Sequence, residues 1–160
     1  MLCVTCDGHI GVCDKEDIVV FTPDGELLRR FSQGGPPGWL DDYIVHVNNK
    51  FYVSYISTHC VKVFSNEGQF LFSFGEKGED QGQFKFPQGL AVDKNDCLLV
   101  ADRDDQCVKI FSLDGDFLGK FGKEGDELGE FYSPIDVAVA SDGSVFVVEF
   151  GNKRVQLFNE

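Results

Sequence analysis

The stretch GQFKFPQGLAVDKNDCLLVADRDDQCVKIFSLDGDFLGKFG, residues 82–122, decides the fold because much of it recurs. Shifted by 47 positions it returns as GEFYSPIDVAVASDGSVFVVEFGNKRVQLF, residues 129–158. Gly82-Gln83-Phe84 becomes Gly129-Glu130-Phe131, and Pro87 becomes Pro134. Working outward, the Phe that ends each apolar run falls at Phe21, Phe64, Phe111 and Phe158, spaced 43, 47 and 47 apart. A turn pair follows at the same register, Asp24-Gly25, Glu67-Gly68 and Asp114-Gly115, and a second aromatic closes each unit at Phe31, Phe74 and Phe121. Separate markers agreeing on one period make the chain a tandem array.

Within one unit the pattern is that of strands. Residues 89–93 read as a first strand, 97–101 as a second, 107–112 as a third and 117–121 as a fourth, with polar turns between them. Four short strands joined by tight turns form an antiparallel meander. A polar, Gly-rich stretch of about a dozen residues then leads to the next unit, longer than a hairpin needs. Such a unit cannot bury both faces alone, and a period of 40–50 residues is the signature of an all-β β-propeller of four-stranded blades. The expected blades are 1–31, 43–74, 89–121 and 136–160, the last without its fourth strand, giving fifteen strands and about 3.75 blades.

Residues 82–122 and 129–158 resemble NHL repeats, the propeller blades of tripartite-motif (TRIM-NHL) proteins and their relatives. The resemblance rests on Gly82-x-Phe84, Phe86-Pro87-x-Gly89, Leu90-Ala91-Val92-Asp93, Leu99-Val100-Ala101-Asp102, Val108-Lys109-Ile110-Phe111, Asp114-Gly115-x-Phe117-Leu118 and Phe121-Gly122. Blade four repeats it through Ser133-Pro134, Val137-Ala138-Val139, Asp142-Gly143 and Asn152-Lys153-Arg154-Val155-Gln156-Leu157-Phe158. Blades one and two depart from it: Leu40 replaces the Pro, His46 the Asp of the first strand, and blade one has a shorter loop between its second and third strands. Cys60 and Cys107 stand where blade four has Arg154. The resemblance implies a ring of about six blades, so the chain reads as an incomplete propeller, a fragment or truncated product, with closure by two chains as the alternative.

Composition narrows the function. The 160 residues carry 14 Lys plus Arg against 27 Asp plus Glu, a formal charge of −13, with 16 Phe and 18 Gly. No apolar run approaches the roughly 20 residues of a membrane helix. The start Met1-Leu2-Cys3-Val4 lacks a basic region followed by a long apolar stretch, so a cytoplasmic, thiol-reducing setting is expected for the six cysteines.

Chemistry-bearing motifs are weak. Cys3-x-x-Cys6 with His9 and Cys13 has a superficial zinc spacing, but residues i and i+3 of a strand face opposite ways and no second pair follows. Asp102-Arg103-Asp104-Asp105 lacks the alternation, Gly and distal Glu of a calcium loop and reads as a solvated turn. His9, His46 and His59 occupy non-equivalent blade positions, and the Gly-rich turns 75–78 and 122–125 are inter-blade turns rather than phosphate loops. No catalytic residue, metal or cofactor is expected, and no small-molecule substrate.

Loops between second and third strands share one face of a meander with the loops between blades. Those segments (14–17, 32–43, 55–60, 75–88, 102–106, 122–135 and 149–154) hold 7 basic and 16 acidic residues, a net −9, against −4 for the remainder. Some NHL propellers bind RNA on a basic loop face, and this one is acidic, so RNA ranks second although Trp39, Tyr55, Tyr132 and Phe150 have the shape to stack on bases. The first expectation is a protein–protein interaction module with a basic partner and no membrane contact. By resemblance it is the substrate-recognition part of a ubiquitin ligase whose RING and B-box domains this sequence does not contain. The partner-binding candidates on the loop face are Lys85, Arg103, Asp104, Tyr132, Phe150, Asn152 and Lys153.

Overall fold

A computed structural model describes residues 1–14, 17–32 and 42–159. Trp39 and Leu40 lie outside the described residues. Fifteen described strands form four antiparallel sheets. Blade one is β1 (Leu2–Val4), β2 (Ile10–Cys13), β3 (Asp17–Phe21) and β4 (Leu27–Ser32); blade two is β5 (Ile44–Val47), β6 (Lys50–Tyr55), β7 (Cys60–Ser65) and β8 (Phe70–Phe74). Blade three is β9 (Pro87–Val92), β10 (Cys97–Asp102), β11 (Cys107–Ser112) and β12 (Phe117–Phe121), with a 3-10 turn at Arg103–Asp105. Blade four is β13 (Pro134–Val139), β14 (Val145–Glu149) and β15 (Arg154–Phe158). Every sheet is a meander in which consecutive strands pair, and the first strands β1, β5, β9 and β13 touch one another from blade to blade. The architecture is a β-propeller arrangement of four blades.

The blades hold together because each strand alternates its side chains between two neighbours. One apolar cluster joins blades one and two through Ile18, Val20, Phe51, Val53 and Phe64. A second joins blades two and three through Val61, Val63, Phe84, Leu98 and Phe111, and a third joins blades three and four through Val108, Phe131, Val137 and Val147. The recurring Phe residues form the rims of these clusters: Phe74 lies 5.1 Å from Phe111, and Phe121 lies 5.4 Å from Phe158. The turn glycines are required by both backbone and space. Gly115 has φ 92°, and a Cβ there would lie 2.8 Å from the ring of Phe74 in the preceding blade.

Two strand readings shift. The first strands of blades three and four begin at Pro87 and Pro134, before the expected 89 and 136. Pro87 pairs with Asp102 and Pro134 with Glu149 across a bulge, so the extra residues join the sheet through an irregular pair. Cys6 is not on a strand: Cys3 is buried on β1, whereas Cys6 sits exposed in the following turn, its thiol 3.6 Å from Asn49 Oδ1. Among the described residues no helix is long and apolar enough to cross a membrane.

Candidate functional site

The loop face is built on a device at the end of the second strand that recurs in blades three and four and is altered in blade two. In blade three Asp102, fully buried, accepts backbone N–H bonds from Lys85 (3.0 Å) and Phe86 (2.7 Å) of the loop arriving from blade two. Lys109, facing it from β11, places Nζ 2.8 Å from Asp102, 3.1 Å from Asp105 and 2.6 Å from the carbonyl of Gln83. Burial alone would discharge this ammonium, but the two carboxylates win and raise its pKa above that of free lysine. Burial likewise works to raise Asp105, yet Lys109, the Cys107 thiol and Lys85 hold it down at about 2.

Blade four uses the same position with other residues. Glu149 accepts from Arg154 (2.7 Å), Gln156 (2.8 Å), Asn152 (2.6 Å) and the Tyr132 N–H (3.0 Å). Burial opposes ionisation of Glu149, and these donors outweigh it, so its pKa is lowered. In blade two the acid is replaced by Tyr55, with Lys62 Nζ 4.1 Å from the ring centroid, a cation–π pair. A second device joins neighbouring blades. In blades two, three and four the residue before the third strand is left-handed (His59 φ 53°, Gln106 φ 54°, Lys153 φ 52°). His59 Nδ1 donates to the Lys85 carbonyl at 2.7 Å, and Gln106 Oε1 accepts from the Ser133 N–H at 2.7 Å.

These anchors sort the sequence candidates. The solvated-turn reading of residues 102–105 fails at Asp102, which is buried with Lys109 as its counter-ion; Asp104 alone of the three acids is exposed. Lys85 is partly spent inside the molecule, its Nζ 3.2 Å from Glu79 and 3.3 Å from Asp105. Arg103 lies over Phe86, 5.1 Å from the ring centroid. Asn152 points inward, donating to Glu149 and to the Gly125 carbonyl. Four candidates remain presented outward: Tyr132 at 49% exposure, Phe150 at 69%, and the exposed Asp104 and Lys153.

Tyr132 and Phe150 are brought together by main chain. Phe150 N–H donates to Ser133 O (2.9 Å) and Gly151 N–H to Tyr132 O (3.0 Å), so two loops far apart in sequence are stitched into one platform. The Tyr132 ring lies flush on Gly151, where any Cβ would collide with it. Leu128, almost fully exposed in the same inter-blade loop, adds an apolar residue that the sequence reading passed over. Its loop is fixed by Arg154, which donates to the carbonyls of Asp126, Glu127 and Glu130. Over blades two and three a hollow of about 390 Å³ is lined by His59, Lys77, Glu79, Lys85, Phe86 and Asp104. Among the described residues, no group of three or more His, Cys, Asp or Glu is arranged to hold a metal ion.

The NHL repeat family model matches residues 84–111 and 131–158, which span the cores of blades three and four. No curated protein matches the chain. Among solved structures, a protein of unknown function from Bacteroides thetaiotaomicron superposes with TM-score 0.80 at 16% identity, covering 97% of this chain and 46% of its own. An auxiliary nutrient binding protein from the same organism gives TM-score 0.73 at 12% identity, with 96% and 46% covered. Virginiamycin B lyase from Staphylococcus aureus, an inactive variant with quinupristin, gives 0.72 at 14% identity, with 99% and 54% covered. The chain therefore spans about half the length of these structures, and at such identities the likeness shows the fold.

Proposed function

We propose that this NHL propeller is a non-enzymatic protein-interaction module whose partner docks on the loop face over blade four. The observation that carries the reading is the Tyr132–Phe150 platform: two exposed aromatics on backbone-stitched loops, flanked by acidic inter-blade segments. Rigid aromatics need little ordering on binding and serve as anchors at protein interfaces. The acidic flanks of this platform, with Glu124, Asp126 and Glu127 in the adjoining loop, favour a partner with a basic surface, which they steer and orient. The finer form of the proposal, drawn from the resemblance to TRIM-NHL proteins, is substrate recognition for a RING-type ubiquitin ligase in the cytoplasm. The six free thiols fit a reducing compartment. Nucleic acid is the competing ligand because the same aromatics have the shape to stack on bases.

The test is surface plasmon resonance of the chain against a panel of peptides, each carrying an apolar anchor flanked by lysine and arginine, beside matched acidic peptides and a random RNA. Selective capture of basic peptides, weakened by salt and reduced about tenfold by Tyr132→Ala with Phe150→Ala, supports the proposal. Tighter capture of RNA than of any peptide, or binding indifferent to both substitutions, overturns it.

A further inference from the structure

The loop that enters blade three and the loop that enters blade four share one backbone and carry opposite chemistry. Lys77 bridges Phe84 in the first as Glu124 bridges Phe131 in the second, 47 residues on. In the first, Gly78 N–H donates to Phe84 O (3.1 Å) and Phe84 N–H to Glu76 O (2.8 Å). Gly125 to Phe131 (3.0 Å) and Phe131 to Lys123 (2.7 Å) match them in the second. The side chains then diverge. Lys77 becomes Glu124, Lys85 becomes Tyr132 and Arg103 becomes Phe150, so a carboxylate and two rings stand where blade three has three cations.

The space differs too. At blade four the Tyr132 ring lies on Gly151; at blade three the matching residue is Asp104, and Lys85 is drawn to Glu79 and Asp105. What remains there is the hollow of about 390 Å³, with Phe86, His59 and Lys77 in its lining. Its walls are fixed. Asp102 holds the Lys85 and Phe86 amides, His59 holds the Lys85 carbonyl, and Arg103 lies over the Phe86 ring. Glu79 is engaged by Lys85, and Asp104 lies 3.7 Å from Arg103. Lys77 is exposed and enters no ion pair among the described residues, so it is the uncompensated charge of the hollow. The matching positions at blade four hold Glu124 and Asp126 and no cation.

We propose that this hollow takes the carboxylate of an acidic residue in the same partner whose basic part meets the blade-four platform. The inference rests on the loop-face reading and adds the partner's polarity: its contact surface is basic over blade four and acidic one seam back. Lys77 meets the carboxylate with Lys85 beside it, and an apolar neighbour of the acidic residue packs on Phe86. Charge complementarity selects this occupant. A basic group in the hollow would face Lys77, and an acidic group over blade four would face Glu124 and Asp126. Two contacts of opposite sign fix the partner's direction across the face, because the reversed pose sets like charges together at both.

The probe is a fluorescein-labelled peptide with an apolar anchor flanked by lysine and arginine, extended through Gly-Ser linkers of graded length by Glu-Leu-Glu. It is titrated with the full chain by fluorescence anisotropy at about 0.15 M salt, beside a control ending in Gln-Leu-Gln. The chain carries a net −13, so at long range it repels the glutamates, and a gain in affinity reports the local cation. At the linker length that spans both sites the Glu-ended peptide is expected to bind about tenfold tighter than the control. Lys77→Glu is expected to remove that gain, to keep binding of the unextended basic peptide, and to favour a peptide ending in Lys-Leu-Lys. Lys77→Gln, which adds no new charge, is expected to remove the gain as well. A Glu-ended peptide no tighter than the control at every linker length, or a gain that survives both substitutions, overturns the inference and leaves the loop-face reading standing. No binding of the basic peptide overturns both. Displacement of the Glu-ended peptide by a random single-stranded RNA that itself needs Lys77 overturns the acidic-residue assignment, since the hollow is then a phosphate site.

Discussion

Lys109 is the residue on which the loop face of blade three depends. Its ammonium is buried, and removing it leaves Asp102 as an uncompensated internal charge while Asp102 still holds the Lys85 and Phe86 amides. Breaking one partner of a buried pair in this way costs about 3–5 kcal/mol. Lys109→Ala is therefore expected to lower the unfolding free energy by that amount in urea titrations. Asp102→Asn combined with Lys109→Gln keeps hydrogen-bonding groups without charge and is expected to lose markedly less. Equal losses for the single and the double change would place the effect in packing. The arrangement was hidden in the sequence because a carboxylate and an amine seven positions apart, on two strands, read singly as a polar turn and a polar strand residue. Aligning the blades at the 47-residue period exposes the signal. The acid position reads Tyr55, Asp102 and Glu149, while the facing position reads Lys62, Lys109 and Gln156, so the lysine is kept against a ring in blade two and a carboxylate in blade three and is replaced in blade four.

At the scale of the element, the strands of blades three and four were legible because their apolar alternation and turn glycines repeat at one period. Blades one and two were harder, since their loops depart from the period and their seam uses polar groups. At that seam His46 on β5 lies edge-on to Phe51 at 4.6 Å, with Nε2 3.3 Å from Asn66 Oδ1. Arg29 of β4 donates to the same Asn66 oxygen at 2.8 Å. Burial lowers the His46 pKa; the Asn66 contact and Asp7 work the other way, and Arg29 adds to the lowering. The unfolded chain therefore takes up a proton near pH 6.5 that the folded seam refuses. Stability is full above about pH 6.5 and declines as the pH falls toward the folded value, below which the slope vanishes. Urea midpoints at about pH 7.5 and 5.5 are expected to differ more for the parent than for His46→Phe, which keeps the ring on Phe51 and cannot titrate. The same difference in both proteins would assign the pH dependence to other groups.

The whole molecule is a linear succession of blades, each packed on its sequence neighbours through one apolar cluster per seam. In such an array stability is a sum of blade terms and nearest-neighbour seams, so position in the array sets local stability. Blade three has a neighbour on both sides, and its core strands β9, β10 and β11 are the most continuously buried. It also has the Asp102–Lys109 anchor. Blade one has one neighbour among the described residues, leaves Leu2 and Val4 more than 60% exposed, and has the three-residue β1 at its inner edge. Blade four has one neighbour among the described residues, where β15 pairs only with β14. Amide hydrogen exchange is expected to rank accordingly, with β10 and β11 slowest, β6 and β7 of blade two, which also has a neighbour on both sides, next, β14 after them, and β1 and β15 fastest. Uniform protection across all four blades would mean that the array unfolds as one cooperative unit, and the seams would then have to couple more strongly than nearest-neighbour packing provides.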